Sequence, residues 1–260
     1  MAINKKFITG IDIGGSKINI IVFKGGKVLK NAKIPTPRDR KEFLEKLEML
    51  IKKLFFGAGE KKISGIGCGV AGVLDLEKGI ILNSPNLRFL NNFNIKNWLE
   101  KKFSCEIKID NDARCFTRAE QMFGAGRGYK NIVGITFGTG IGGGIIVNGK
   151  IFYGANGSAG ELGHMIMGGR DFEFLVIKQT KNLENYLGMG LANIINILDP
   201  EIIIFGGGAA HTLKSLLPEA KKIMNKFIIS PKSRKNVKII MGKLGENAGA
   251  IGAAALFYEL

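Results

Sequence analysis

Two stretches of this chain carry the same pattern of apolar and polar positions. In each, an apolar run enters a turn of Gly and a small hydroxyl residue, and a second apolar run leaves it. The first is Gly10-Ile11-Asp12-Ile13-Gly14-Gly15-Ser16 continuing to Phe23, and the second is Gly134-Ile135-Thr136-Phe137-Gly138-Thr139-Gly140 continuing to Val147. They align without a gap, and both stop at a further turn, Lys24-Gly25 or Asn148-Gly149. Each predicts a β-hairpin, and the recurrence predicts two related halves.

The remaining pattern alternates strand and helix. After a strand over 28–34, Pro35-Thr36-Pro37 breaks the run, and Phe43, Leu44, Leu47, Leu50, Ile51 and Leu54 fall at helical spacing over 40–55. A buried strand over 63–70 leads into Ala71-Gly72, and Pro85 turns Ser84 away from helix, so Leu82-Asn83-Ser84-Pro85-Asn86-Leu87 reads as loop. A helix over 95–103 and a strand over 107–110 follow, then a helix over 113–123 that stops at Gly124-Ala125-Gly126. Beyond the second hairpin come an irregular glycine-rich stretch over 154–169, a helix over 183–198 and a strand over 200–205 emptying into Gly206-Gly207-Gly208. Helices over 213–227 and over the Ala- and Gly-rich 245–257 complete the chain. Strands followed by helices, in two halves that open alike, predict an α/β protein of two similar lobes with a ligand cleft between them.

Composition narrows the class. The 260 residues are 45% hydrophobic, enough for a well-packed core, and no apolar run is long enough to span a bilayer. The start, Met1-Ala2-Ile3-Asn4-Lys5-Lys6, has no signal-peptide core, so the expected location is the cytoplasm, without a membrane partner. Cys68, Cys105 and Cys115 are odd in number and widely spaced, as expected of buried thiols rather than disulfides or a metal site. The net charge of +16 would suit a nucleic acid, but the lysines are spread between apolar residues, densest from Lys221 to Lys238, and no nucleic-acid-binding signature accompanies them. A lysine-rich surface is the expectation, with no nucleic-acid partner.

The chemistry is concentrated at the turns. Glycine there is expected to supply positive φ and close backbone approach, so that N–H groups converge on an anion; two facing hairpins would grip a polyphosphate. Asp12 is a carboxylate in an otherwise apolar strand, placed to hold magnesium through water beside a nucleotide phosphate. The Thr139 hydroxyl is placed to bind a phosphate oxygen, and the third turn, Gly206-Gly207-Gly208, suits the nucleoside end. Asn111-Asp112 stands where a strand ends and a helix begins, a capping position compatible with a proton acceptor of ordinary pKa kept ionised by the helix terminus. Glu161-Leu162-Gly163-His164 suits hydrogen bonds to a polyhydroxylated ligand, whereas His211 reads as a surface or helix-start residue.

These motifs together resemble the ROK sugar kinases (repressor, open reading frame, kinase), within the actin-like ATPase, ribonuclease H-like superfamily. Ile11-Asp12-Ile13-Gly14-Gly15-Ser16-Lys17 is similar to the family's first phosphate motif, and Phe137-Gly138-Thr139-Gly140-Ile141-Gly142-Gly143-Gly144 to its second. Asn111-Asp112-Ala113 resembles its Asn-Asp-Ala, which implies Asp112 as catalytic base and Asn111 as a sugar contact. Glu161-x-Gly-His164 resembles its sugar-binding segment, Pro85-Asn86-Leu87 its Pro-Asn-Leu loop, and Asp199-Pro200-Glu201 with Gly206-Gly207-Gly208 its nucleoside side. Gly72 joins the implied substrate contacts.

Many members carry a zinc-binding cysteine motif followed by a sugar-contacting Leu-Glu. Here Met167-Gly168-Gly169-Arg170-Asp171-Phe172-Glu173 has no cysteine, so structural zinc is not expected, and the sugar carboxylate maps onto Glu173, with Glu184 as the alternative. The family's repressors carry a DNA-binding segment before the first motif, for which this chain has no room. The resemblance thus implies a homodimeric kinase using ATP, or polyphosphate, with magnesium to phosphorylate a hexose. Glucose is favoured, fructose or N-acetylmannosamine are alternatives, and a sugar sensor without turnover is the reading from another class. The expected lobes are 1–110, rejoined by the last helix at about 246–260, and 111–245.

Overall fold

The protein is described from a computed structural model covering residues 6–56, 63–179 and 181–258. Expectations for residues 1–5, and for the His211 side chain, lie outside the described residues.

The first hairpin is β1 (Ile8–Ile13) and β2 (Lys17–Lys24), extended by β3 (Lys27–Pro35). Helix α1 (Arg40–Phe56) then leads to β4 (Gly65–Val70). A small antiparallel sheet follows, made of β5 (Val73–Asp75), β6 (Ile80–Asn83) and β7 (Phe93–Asn94), and α2 (Ile95–Phe103) leads to β8 (Glu106–Asn111). These strands form a sheet of order β3-β2-β1-β4-β8, antiparallel across the first three and parallel from β1 onward.

Helix α3 (Asp112–Phe123) crosses to the second hairpin, β9 (Ile132–Phe137) and β10 (Ile141–Val147), with β11 (Lys150–Ile151). The short hairpin β12 (Ile166–Met167) and β13 (Arg170–Asp171) and one π-helical turn (Phe174–Lys178) precede α4 (Leu183–Leu198) and β14 (Ile202–Gly206). Then come α5 (Ala210–Lys214), α6 (Leu217–Phe227), α7 (Pro231–Asn236), β15 (Lys238–Met241) and α8 (Ala248–Ala254). The second sheet has order β11-β10-β9-β14-β15 with the same sequence of antiparallel and parallel pairings as the first. The repeated hairpin is therefore the start of a repeated five-strand unit.

Two buried helices lie between the sheets. Helix α8 is buried at all seven positions and packs on β1 and β4, and α3 packs on α8, β9 and β10. Glycine makes these approaches possible: a Cβ on Gly67 would fall 1.8 Å from the Ala253 carbonyl oxygen, and one on Gly252 would fall 1.7 Å from that of Cys115. On the outer faces, α1 buries Phe43, Leu47, Leu50, Ile51 and Phe55 on the first sheet. Helices α4 and α6 cover the second with Leu187, Leu191, Ile194, Ile195 and Met224. Cys68 and Cys115 are buried free thiols and Cys105 is partly exposed.

The structure departs from the pattern in several places. Leu82 and Asn83, expected in a loop, end strand β6, because Asn83 pairs with Val73 of β5. The helix expected over 213–227 is two helices, because Pro218 has no N–H to continue a helix from α5 and instead starts α6. The helix expected over 245–257 is α8 flanked by single 3-10 turns, Gly245–Asn247 and Ala255–Phe257. Helix α7 and strand β15 lie in the lysine-dense stretch, which masks both; Ser230 nonetheless caps α7 by accepting from the Ser233 N–H at 3.2 Å.

Candidate active site

The two hairpin turns meet. Ser16 Oγ lies 3.0 Å from Thr139 Oγ1, although the residues are far apart in sequence. The first turn is closed by the Gly14 N–H donating to the Lys17 carbonyl at 3.0 Å and held from outside by the Thr36 hydroxyl, which donates to the Gly14 carbonyl at 2.7 Å. The second is closed by the Gly138 N–H on the Gly140 carbonyl at 2.9 Å. At its exit the Ile141 N–H donates to Glu173 Oε2 at 2.8 Å.

The expected positive φ is absent from both turns: Gly14, Gly15, Gly138 and Gly140 lie outside the left-handed region. Space is the reason for Gly15 and Gly140 instead. A Cβ on Gly15 would sit 2.6 Å from Asn86 Cβ, and one on Gly140 would sit 2.4 Å from the Glu173 carboxylate. In the third turn Gly207 does have φ +86°, which lets it seat against the Phe137 carbonyl, to which the Ala209 N–H donates at 3.0 Å. Gly206 packs on the Phe116 ring, and around Gly208 the space is open. All three turns thus gather at the ends of β1, β9 and β14. Lys17 points its ammonium to Glu246, 3.4 Å away, and Glu246 also pairs with Lys33.

Asp12 and Asp112 form the electrostatic centre. Asp12 is partly exposed, and desolvation, reinforced by the charge of Asp112 and opposed by Lys17, pushes its carboxyl up to about 7. A Cβ on Gly249 would strike Asp12 Oδ2 at 2.4 Å, so α8 leaves that carboxylate its place. Asp112 opens α3 and accepts the Ala113 N–H at 2.9 Å. The expectation of an ordinary pKa is overturned: desolvation pushes Asp112 up to about 6, and the Glu161 charge adds to this against the helix-terminal amide and Arg114.

A pair of poorly solvated carboxylates fits a hydrated divalent cation. Among the described residues no cluster of three or more His, Cys, Asp or Glu side chains could hold a metal alone, so an ion here would need phosphate and water to complete its shell.

The sign of the pH effect follows from the raised values. Between about 4 and 7 the folded state binds more protons at Asp12 than the unfolded chain, so stability falls as pH rises through that window. In chelator, Asp12→Asn is expected to raise Tm by about 2–4 °C at pH 8, equivalent to about 1 kcal/mol, and to have no effect near pH 4. Thermal melts at both pH values check this; a lower Tm for the variant at pH 8 contradicts it.

Next to these carboxylates stand the residues expected on the sugar side. Asn111 caps α3, its Oδ1 accepting from the Ala113 and Arg114 N–H groups at 2.9 and 3.1 Å, and its amide donates to the Gly72 carbonyl at 3.2 Å. Gly72 has φ +129°, and a Cβ there would strike the Asn83 carbonyl at 2.5 Å. Asn86 packs on Gly15 and so joins the Pro-Asn-Leu loop to the first turn. Glu161 and His164 are the exposed ends of the turn containing Leu162–His164, whose buried Gly163 abuts the Ile141 carbonyl. Glu173 is tied to the second turn, whereas Glu184 sits in the first turn of α4.

The pattern of motifs does not reveal Asp110, Arg114, Arg118 and Tyr153, a buried polar group directly behind Asn111-Asp112. The signal available was Arg114 and Arg118, four residues apart on one face of α3, following an Asp near the end of the preceding strand.

Paired sheets of one topology, with turns from both halves meeting over a buried helix, are the actin-like ATPase fold. A solved glucokinase of Streptomyces griseus, in complex with glucose and AMPPNP, has this arrangement: it is 25% identical, with TM-score 0.82 over 96% of this chain and 98% of that one. The chain belongs to the ROK family, whose model matches residues 8–175 and 172–259. A glucokinase of Halalkalibacterium halodurans is 26% identical, covering 96% of this chain and 94% of the relative. A xylose repressor of Caldicellulosiruptor bescii is 28% identical, covering 96% of this chain and 77% of that protein. No helix among the described residues is long and apolar enough to cross a membrane.

Proposed function

We propose that this protein transfers the γ-phosphoryl group of ATP to a hydroxyl of a hexose, with glucose as the favoured acceptor. The observation that carries the reading is the contact of Ser16 with Thr139 beside the head of α3, which brings two phosphate-sized turns and the Asp112 carboxylate to one place. The lobes of this reading are 1–110 with 246–260, and 111–245. The sugar sits between them, its hydroxyls oriented by Gly72, Asn86, Asn111, Glu161, His164 and Glu173.

Backbone amides of residues 14–17 and 138–140, with the Ser16 and Thr139 hydroxyls, bind the phosphates, and Gly206, Gly207 and Gly208 border the nucleoside. Asp12 would hold the nucleotide's magnesium through water, and the ion supplies neutralisation of phosphate charge. Asp112 orients the acceptor hydroxyl and takes its proton late in the transfer. Only the ionised carboxylate does this, so turnover is expected to rise as pH climbs through about 6.

An assay for sugar phosphate over a panel of glucose, fructose and N-acetylmannosamine tests the proposal, with ATP or polyphosphate as donor and with or without magnesium, ADP release being followed where ATP is the donor. Sugar-dependent ADP release, greatest with glucose, is the expected result. Release with another sugar corrects the acceptor. Sugar binding without sugar phosphate from either donor overturns the kinase reading in favour of a sensor, a role akin to that of the related repressor.

A further inference from the structure

The buried polar group behind Asn111-Asp112 has partners on both sides of the proposed sugar. Asp110 is fully buried in β8. Its Oδ1 accepts from Arg114 Nε at 2.7 Å and from the Asn111 N–H at 2.8 Å; its Oδ2 accepts the Tyr153 hydroxyl at 3.0 Å, with Arg118 3.5 Å away. Arg114 reaches on, its second nitrogen donating to the Gly157 carbonyl at 2.8 Å while its guanidinium lies 5.1 Å from the centre of the Tyr153 ring. Arg118 donates to the Tyr153 hydroxyl at 3.0 Å. Tyr153 and Gly157 belong to the glycine-rich segment that runs directly into Glu161.

We infer that Arg114 is a positioning residue: clamped between Asp110 and the Gly157 carbonyl, it sets the distance between the proton acceptor Asp112 and the sugar-gripping Glu161 and His164. The inference rests on the kinase reading for its kinetic consequence, and its geometry stands apart from it. Stability alone gives a poor account of the cluster. Burying ion pairs gains little over apolar packing because of desolvation, and here Arg118 Nε is buried without a partner among the described residues. What the cluster does provide is a fork that ties the first turns of α3 to Tyr153 and the Gly157 carbonyl. The planar guanidinium suits this, since it holds two acceptors in fixed directions, which an ammonium does not.

Asp110 keeps Arg118 as a partner when Arg114 is replaced, whereas losing Asp110 would strand both cations, so the informative variant is Arg114→Met. In ligand-free protein, amide exchange over 153–164 is expected to rise about tenfold or more, with exchange in β1 and β4 unchanged. In turnover the KM for sugar is expected to rise about tenfold and kcat to fall, since a displacement on the order of 1 Å at the reacting atoms costs up to about a hundredfold, while the KM for ATP holds. Arg114→Lys is expected to leave Tm unchanged without restoring the sugar KM. Unchanged exchange over 153–164 in Arg114→Met overturns the inference, as does an unaltered sugar KM. If the wild-type protein turns over no sugar, the kinase reading fails, and the exchange experiment still decides whether Arg114 holds the segment.

Discussion

Asp112→Asn is expected to lower kcat by about two to four orders of magnitude, the usual contribution of a positioned general base, while equilibrium binding of the sugar changes by less than about threefold. Asparagine keeps the shape of the side chain and an oxygen that can accept the Ala113 N–H, so the start of α3 stays in place. Proton affinity is what it lacks. The residual activity should also lose the inflection expected near 6, which belongs to this carboxyl. Stopped or coupled turnover assays, with calorimetric titration of the sugar, separate the two quantities. Near-normal kcat in the variant would refute the assignment, and loss of sugar binding would move Asp112 from chemistry to substrate contact.

A large effect on stability is expected at Gly67. A methyl there meets the Ala253 carbonyl oxygen at 1.8 Å and its carbon at 2.4 Å, and both are backbone atoms of a helix pinned between β4 and α3. No rotamer change relieves such a clash. Gly67→Ala is therefore expected to cost about 3 kcal/mol or more, lowering Tm by about 6–12 °C in a chain of this size. The control is Gly208→Ala, where nothing lies within 4 Å of the added Cβ and the expected change is within about 0.5 kcal/mol. Equal melting temperatures for the two variants would show that α8 moves off the sheet without cost.

What was legible in the sequence was whatever depends on short-range pattern. The two hairpins, the strand ends carrying Asp12 and Asn111-Asp112, and α1, α2 and α4 all follow from apolar spacing and from Gly or Pro at their limits. What was illegible depends on contacts between distant segments. Glycine in the two hairpin turns reads from sequence as freedom of φ because the atoms that exclude a side chain there, Asn86 and Glu173, lie dozens of residues away. Asp112 reads from sequence as a normal carboxyl because its local helix terminus favours the anion; burial by distant segments outweighs this, and Glu161, from the other side of the second hairpin, adds to it. Arg114 and Arg118 look like a solvated face until Tyr153 and the Gly157 carbonyl are brought onto them by the second sheet. Lysine between apolar residues masked α7 and β15, since charge density there obscured a period that Ser230-Pro231 could still have announced.

Helix α8 lies between structures made much earlier in the chain: residues 248–254 cover strands completed by residue 70. A ribosome adding roughly 5–20 residues per second leaves the inner face of β1 and β4 bare for on the order of ten seconds or longer during synthesis. The nascent first half is therefore an unfinished body with an open apolar seam, a surface for a chaperone to hold. Its maturation waits on the synthesis of residues 248–254, which follow every strand of the second sheet, so the first sheet completes its burial only after the second has been made.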